Sequence, residues 1–186
     1  MVQVLVAFAS SEGQTRKISE RIASRLRDRG AGVQLVDVMK NDDPALEPFN
    51  AALLAGSLHV GHHQEELVRF VKSHREALCG VPTGFVSVSL SAHGTLNEDV
   101  AAAHGCVADF FEMAGWKADC THLAAGAVRD TRLGFLKRWI LHRILRTKGV
   151  EMPASGVLEF TDWKAVDAFV DQFLKEEIAP RGVRSA

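Results

Sequence analysis

Five short apolar runs, each bounded by Gly, Pro or polar residues, alternate with longer stretches of helical periodicity. They are VQVLVAFA (2–9), GVQLVDV (32–38), AALLAGS (51–57), TGFVSVSL (83–90) and THLAAGAV (121–128). Runs of this length and composition read as strands. Between them Ile18, Ile22, Ala23 and Leu26 share one helical face, and Leu67, Phe70, Val71, His74 and Leu78 share a second. Val107, Phe110, Phe111 and Met113 make a third, and Val166, Phe169, Val170, Phe173 and Leu174 close the series. Strand and helix in alternation, without hairpin signals, imply parallel strands joined by right-handed crossovers. The expected class is α/β, a doubly wound five-stranded parallel sheet with helices on both faces. A chain of 186 residues fits one such domain. We expect it to span 1–178, with an insertion at 129–156 and a tail at 179–186.

In sheets of this kind, ligands bind beyond the carboxyl ends of the strands, where strand order reverses. The first strand leads there into SSEGQT, residues Ser10, Ser11, Glu12, Gly13, Gln14 and Thr15. A turn of small residues opening a helix presents unpaired N–H groups and the positive end of the helix dipole, which suits a phosphate. Gly13 lets the backbone approach closely, and Ser10, Ser11 and Thr15 add hydroxyls. The same residues also suit a capped strand-to-helix turn that holds nothing. GxxxxGK[ST] does not occur, and no GxGxxG follows the first strand, which argues against a triphosphate loop and a dinucleotide site. A monophosphate remains.

Composition narrows the surroundings. The net charge of −1 gives no overall bias towards nucleic acid, and none is expected as a partner. Cys79, Cys106 and Cys120 are too far apart for a zinc motif or a disulfide framework, and read as reduced thiols. No apolar run reaches the length of a membrane span, and Val2–Ala9 lacks the basic flank and length of a signal segment. The expected location is cytoplasmic, with peripheral contact at the inner face of the cell membrane left open.

AFASSEGQT resembles the phosphate loop of flavodoxins, and the blocks FASSEGQTRKI, AGSLHVGHH, SVSL, AGAVR and EFTDW occur in the order found in the flavodoxin-like, quinone-linked protoporphyrinogen dehydrogenases of bacterial haem synthesis. The similarity runs from Val2 to about Phe173. It implies a flavodoxin-like fold and bound FMN, with Ser10 to Thr15 around the phosphate. Two further loops would lie beside the isoalloxazine ring, namely Ser57, Leu58, His59, Val60 and Gly61, and Ser89, Leu90, Ser91, Ala92, His93 and Gly94. It also implies a tetrapyrrole substrate and a quinone acceptor. Tyr is absent from the chain, although flavodoxins commonly stack an aromatic ring on the flavin and the narrower family tends to carry Tyr near Val60. His59, His62, His63 and His93 occupy the loops instead. Solvated residues, metal ligands and contacts to the flavin edge are all readings of them, and no carboxylate or Cys stands at ligand spacing. No metal is expected. Redox chemistry of this kind needs no protein nucleophile, and no catalytic side chain is singled out.

Residues 129–149, RDTRLGFLKRWILHRILRTKG, are the most distinctive stretch. Seven basic residues face Asp130 alone, a net +6 that leaves −7 for the remainder of a chain at −1. Leu136, Trp139, Ile140 and Ile144 share a helical face, but Phe135, Leu141 and Leu145 spread around the cylinder. Core packing, a basic helix on anionic lipid, and a platform for substrate or partner are all open for it. Given the resemblance, Arg129 and Arg132 are candidates to pair with the propionates of a tetrapyrrole. The leading expectation is an FMN-dependent protoporphyrinogen IX dehydrogenase that reduces a membrane quinone. A flavodoxin-type electron carrier and a flavin-dependent quinone reductase are the alternatives, and the oligomeric state is left open.

Overall fold

Val4, Val6 and Phe8 on one side of the first strand, and Leu5, Ala7 and Ala9 on the other, are all buried. Successive side chains of a strand point to opposite faces, so this strand must lie inside a sheet covered on both. A computed structural model of the chain describes residues 1–41, 44–90, 92, 97–129 and 157–178 and has that architecture. In chain order the elements are β1 (Gln3–Ala9), α1 (Gln14–Asp28), β2 (Gly32–Asp37), β3 (Ala51–His59), β4 (His62–His63), α2 (Glu65–Ser73), α3 (Arg75–Cys79) and β5 (Thr83–Ser89). They continue with α4 (Asn97–Ala114), β6 (Cys120–Ala125), β7 (Ala127–Arg129), β8 (Val157–Glu159) and α5 (Trp163–Phe173), which runs into a π-helical turn at Leu174–Ile178.

The main sheet has the order β2-β1-β3-β5-β6 with every neighbouring pair parallel. These are the five strands and the doubly wound class that the alternation predicts. The chain winds one way from β1 to β2 and the other way from β3 onward. The switch point therefore falls between β1 and β3.

Each face has its own apolar layer. Ile18, Ile22 and Leu26 of α1 and Val166, Phe169, Val170 and Phe173 of α5 pack on Val4, Val6, Phe8 and Leu53. Leu67, Phe70 and Val71 of α2 and Val107 and Phe110 of α4 pack on Leu5, Ala7, Leu54 and Phe85. Each large apolar side chain so buried contributes about 1.5–3 kcal/mol before its entropy loss. Arg21 pairs with Asp167, and Arg25 and Arg29 both pair with Asp171, each at 2.6 Å, along the outer seam of α1 and α5. Hydrogen bonds from Arg25 and then Arg29 hold Asp171 down to about 2.

Several local expectations change. The run Leu67–Leu78 is two helices rather than one, because the backbone breaks at His74, whose ring lies on Phe70 with centroids 4.5 Å apart. Met113 is 49% exposed, and Ala114 takes the core position instead. A hairpin, unforeseen in the sequence, folds β4 antiparallel onto the end of β3. Its two turn residues, Val60 and Gly61, have φ of 52° and 85°, the left-handed pair that a two-residue hairpin turn requires. The last strand, read as continuous over 121–128, breaks at Gly126. Beyond it β7 turns to pair antiparallel with β8, which sets Arg129 beside Val157; between them in sequence lie residues 130–156. That segment, most of the expected insertion, lies outside the described residues, as does the tail at 179–186.

Candidate functional site

The loop between β1 and α1 is shaped from within. Ser10 Oγ accepts from the N–H groups of Gly13 (3.1 Å) and Arg16 (3.2 Å), so this hydroxyl caps the turn. Gly13, at φ 93°, is the N-cap of α1 in a conformation that side chains disfavour. The Lys17 N–H makes the first helical bond, to the Gly13 carbonyl. The N–H groups of Gln14 and Thr15 precede any intrahelical acceptor and stand at the positive end of the dipole. Arg16 and Lys17, the nearest basic residues in sequence, pair with Asp37 and with Glu159 (3.2 Å). An anion here is met by N–H groups, hydroxyls and the dipole.

A cleft of about 190 Å³ opens at this loop, lined by Ser11, Glu12, Gln14 and Thr15, by Ser57, Leu58 and His59 from the end of β3, by Val88, Ser89 and Leu90 from β5, and by Gly126 and Ala127 beyond β6. Four strand ends thus converge at the switch point. Gln14 is 6% exposed. Its Nε2 donates to Thr161 Oγ1 (2.9 Å), which in turn donates to the Ala125 carbonyl (2.7 Å), tying α1 to the end of β6. Gln14 Oε1 is buried without a partner, in a residue that lines the cleft.

Of the residues expected around a cofactor, Ser11, Glu12, Gln14, Thr15, Ser57, Leu58, His59, Ser89 and Leu90 come together in this cleft. Ser10 and Gly13 lie behind it as cap and turn. Val60 and Gly61 form the hairpin tip, where Val60 is 88% exposed. Ala92 donates its N–H to Ser89 Oγ (3.1 Å), bending the chain away from β5. Ser91, His93, Gly94 and Arg132 lie outside the described residues. Arg129 ends β7, with its backbone in register with Val157.

The histidines separate by environment. His59 is on the cleft wall, and His62 is its cross-strand partner in the hairpin. His63 points into the core, edge-on to Phe85 (5.1 Å) and close to Phe110 (5.0 Å), with Nε2 3.1 Å from Ser87 Oγ. Burial pushes its imidazole down to about 4, against a smaller opposing pull from the Cys106 backbone. His63 is therefore a neutral core residue. No group of three metal-ligating side chains occurs among the described residues.

Sequence reasoning missed Gln64, Thr161, Val88, Gly126 and Ala127. Gly126 carried a readable signal, since Gly inside a strand pattern marks a break or a close approach. Its N–H donates to the Ser89 carbonyl and its carbonyl accepts from Phe160, both at 3.0 Å. Thr161 and Gln64 carried none, because their partners are distant in sequence.

A flavodoxin domain family model matches residues 5–152. The chain belongs to the flavodoxin domain family. It is 27% identical over 168 residues to protoporphyrinogen IX dehydrogenase (quinone) of Escherichia coli K12, covering 90% of this chain and 92% of that one. Flavodoxin 1 of Bacillus cereus superposes with a TM-score of 0.56 at 13% identity, over 94% of this chain and 98% of that one. A Fusobacterium nucleatum flavodoxin bound to flavin mononucleotide superposes at 0.52 with 12% identity, over 95% and 99%. Such flavodoxin likeness establishes the fold. The residues present fit a mononucleotide: the helix start offers unpaired N–H groups to a phosphate, Gln14 Oε1 is a buried acceptor without a partner, and Leu58 and Leu90 add apolar lining.

Proposed function

We propose that this chain is an FMN-dependent oxidoreductase, and more narrowly a protoporphyrinogen IX dehydrogenase that delivers electrons to a membrane quinone. The observation that carries the narrower reading is the match to the E. coli dehydrogenase along nine-tenths of both chains. FMN supplies the two-electron and hydride chemistry when bound. The protein's part is to bind and orient. The Gln14 and Thr15 N–H groups, with the Ser11 and Thr15 hydroxyls, hold the phosphate, and Gln14 Oε1 takes a ribityl hydroxyl. Ser57–His59 and Ser89–Leu90 flank the ring, and apart from the His59 imidazole their side chains are small or aliphatic, which leaves room for a second planar molecule against it. Arg129 and Arg132 are proposed partners of the substrate propionates. The basic segment 129–149 is proposed to lie on the anionic inner leaflet, where a quinone is within reach. No helix among the described residues is long and apolar enough to cross a membrane.

The test is anaerobic. Protein loaded with FMN is mixed with protoporphyrinogen IX, and flavin absorbance is followed before and after a quinone is added. Bleaching, then recovery with porphyrin fluorescence, is the expected sequence. A flavin that dithionite reduces but protoporphyrinogen does not would overturn the dehydrogenase reading and favour an electron carrier. Bleaching by a nicotinamide instead would favour a quinone reductase.

A further inference from the structure

Gln14 opens α1 and lines the cleft, yet it is only 6% exposed. One end of its amide meets residues that follow the basic segment in sequence. Nε2 donates to Thr161 Oγ1 at 2.9 Å, and Thr161 commits its own hydrogen to the Ala125 carbonyl at 2.7 Å. The Glu159 carboxylate, at the end of β8, accepts from the same amide. Burial pushes the Glu159 carboxyl up, but hydrogen bonds from Lys17, Trp163 and Gln14 outweigh that and hold it below its usual range. Thr161 is fixed from both sides. The Phe160 N–H donates to the Gly126 carbonyl at 3.0 Å, and the Asp162 side chain caps α5 by accepting from the N–H groups of Lys164 and Ala165.

These two partners decide which way the amide points. A primary amide carries two N–H donors on its nitrogen and only lone pairs on its oxygen. Thr161 Oγ1, with its hydrogen turned to Ala125, offers Gln14 lone pairs alone, and an ionised carboxylate offers nothing else. Reversing the amide would set its oxygen against two acceptors, so the nitrogen must take this end. Oε1 then lies at the other end, buried and without a partner. An unpaired buried acceptor is unfavourable, and a ligand hydroxyl that donates to it removes the penalty. We propose that Thr161, supported by Glu159, is a positioning residue that locks the Gln14 amide with its oxygen held for a ligand hydroxyl, so that the cleft selects a phosphorylated polyol over a bare anion or a bare planar ring. This deepens the FMN reading and rests on it, since FMN carries its ribityl hydroxyls between the phosphate and the ring.

The experiment measures ligand binding rather than turnover. Dissociation constants of the full-length apoprotein for FMN, riboflavin and lumiflavin, which lacks the ribityl chain, are taken from flavin fluorescence quenching, with apoprotein melting recorded beside them. The unmodified chain is compared with Thr161→Val, Thr161→Ser, Gln14→Met and the double variant that combines Thr161→Val with Gln14→Met. Thr161→Val should weaken FMN and riboflavin by the same factor, about tenfold for one hydrogen bond to a buried acceptor, and leave lumiflavin unchanged. Thr161→Ser, which keeps the hydroxyl, should restore both affinities. In the Gln14→Met background Thr161→Val should weaken binding no further, because Thr161 acts through that amide. Thr161→Ala takes the place of Thr161→Val if the latter does not fold. Equal losses for all three ligands would assign Thr161 a purely structural role and overturn the inference, as would unchanged FMN affinity or fully additive losses in the double variant. In each of those outcomes FMN binding by the unmodified chain still stands. Failure of that chain to bind FMN would overturn the FMN reading and the inference together.

Discussion

Val60 holds φ at 52° while 88% exposed, a conformation that a β-branched residue rarely adopts. It buries nothing that would offset the strain. Asn tolerates this region, so Val60→Asn should raise stability by about 1 kcal/mol, read as a higher urea midpoint at constant slope. If the apolar tip contacts the substrate, as its place beside His59 suggests, the same variant should raise KM for protoporphyrinogen without changing FMN affinity. His63 gives a pH dependence. The unfolded chain takes a proton near pH 6.5, whereas burial keeps the folded imidazole neutral down to about 4. The unfolded state therefore binds more protons between those values, and stability falls as pH falls through that window. The full contribution is present above pH 6.5. Its ceiling is about 3 kcal/mol. Unfolding free energies from pH 4 to 7 should show a flatter slope in His63→Gln than in the parent. His122, half-buried and also lowered by its burial, is common to both proteins and does not contribute to the difference. An identical slope would mean that His63 reaches solvent.

At the scale of elements, α5 rests on the sheet where β5 has no side chain. A Cβ at Gly84 would lie 3.2 Å from Phe169 Cζ and 3.3 Å from Cys120 Sγ, and nearer still to Leu53. Gly84→Ala should therefore cost about 1–3 kcal/mol through overpacking, with α5 the first element to lose hydrogen-exchange protection. Thr161 joins α5's N-terminal approach to Ala125 and Gln14, so loosening α5 should also weaken FMN. Helix faces and strand runs were legible because periodicity reports local geometry. The β3–β4 hairpin was not, because its turn carries Val rather than Asn or Gly at the first left-handed position. Nor was the end of α4, where one step in phase moved Met113 outward and Ala114 inward.

Charge is divided across the whole molecule: the segment 129–149 carries +6 and the remainder −7. The β7–β8 ladder returns the chain to α1, where Lys17 and Trp163 both reach Glu159, and Ala127 at its base lines the cleft. The basic segment begins at Arg129, which pairs with Val157 in that ladder, and the proposed function sets it against a lipid surface. Such residues contribute roughly 1 kcal/mol each near anionic lipid. Changing Lys137, Arg138, Arg143 and Arg146 together to Gln should abolish sedimentation with anionic vesicles at low salt and leave FMN affinity unchanged. Activity with a water-soluble quinone should survive. Loss of that activity would assign the basic residues to the substrate, and unchanged sedimentation would remove the membrane reading.

By itself the sequence determined the class of sheet, the positions of its five parallel strands and the loop that opens α1. Each rests on contacts between residues near in sequence or on a simple alternation of burial. Tertiary structure alone decided which loop residues face a ligand. Ser10 and Ser11 are adjacent and chemically alike, yet one hydroxyl caps the helix and the other lines the cleft. His59 and His63 belong to one short motif, but the hairpin sends the first to the cleft and the second to the core. Gln64 meets Ser11 across a separation of 53 residues. Such pairings depend on how the strands twist and the helices dock, and no pattern within a single segment encodes them.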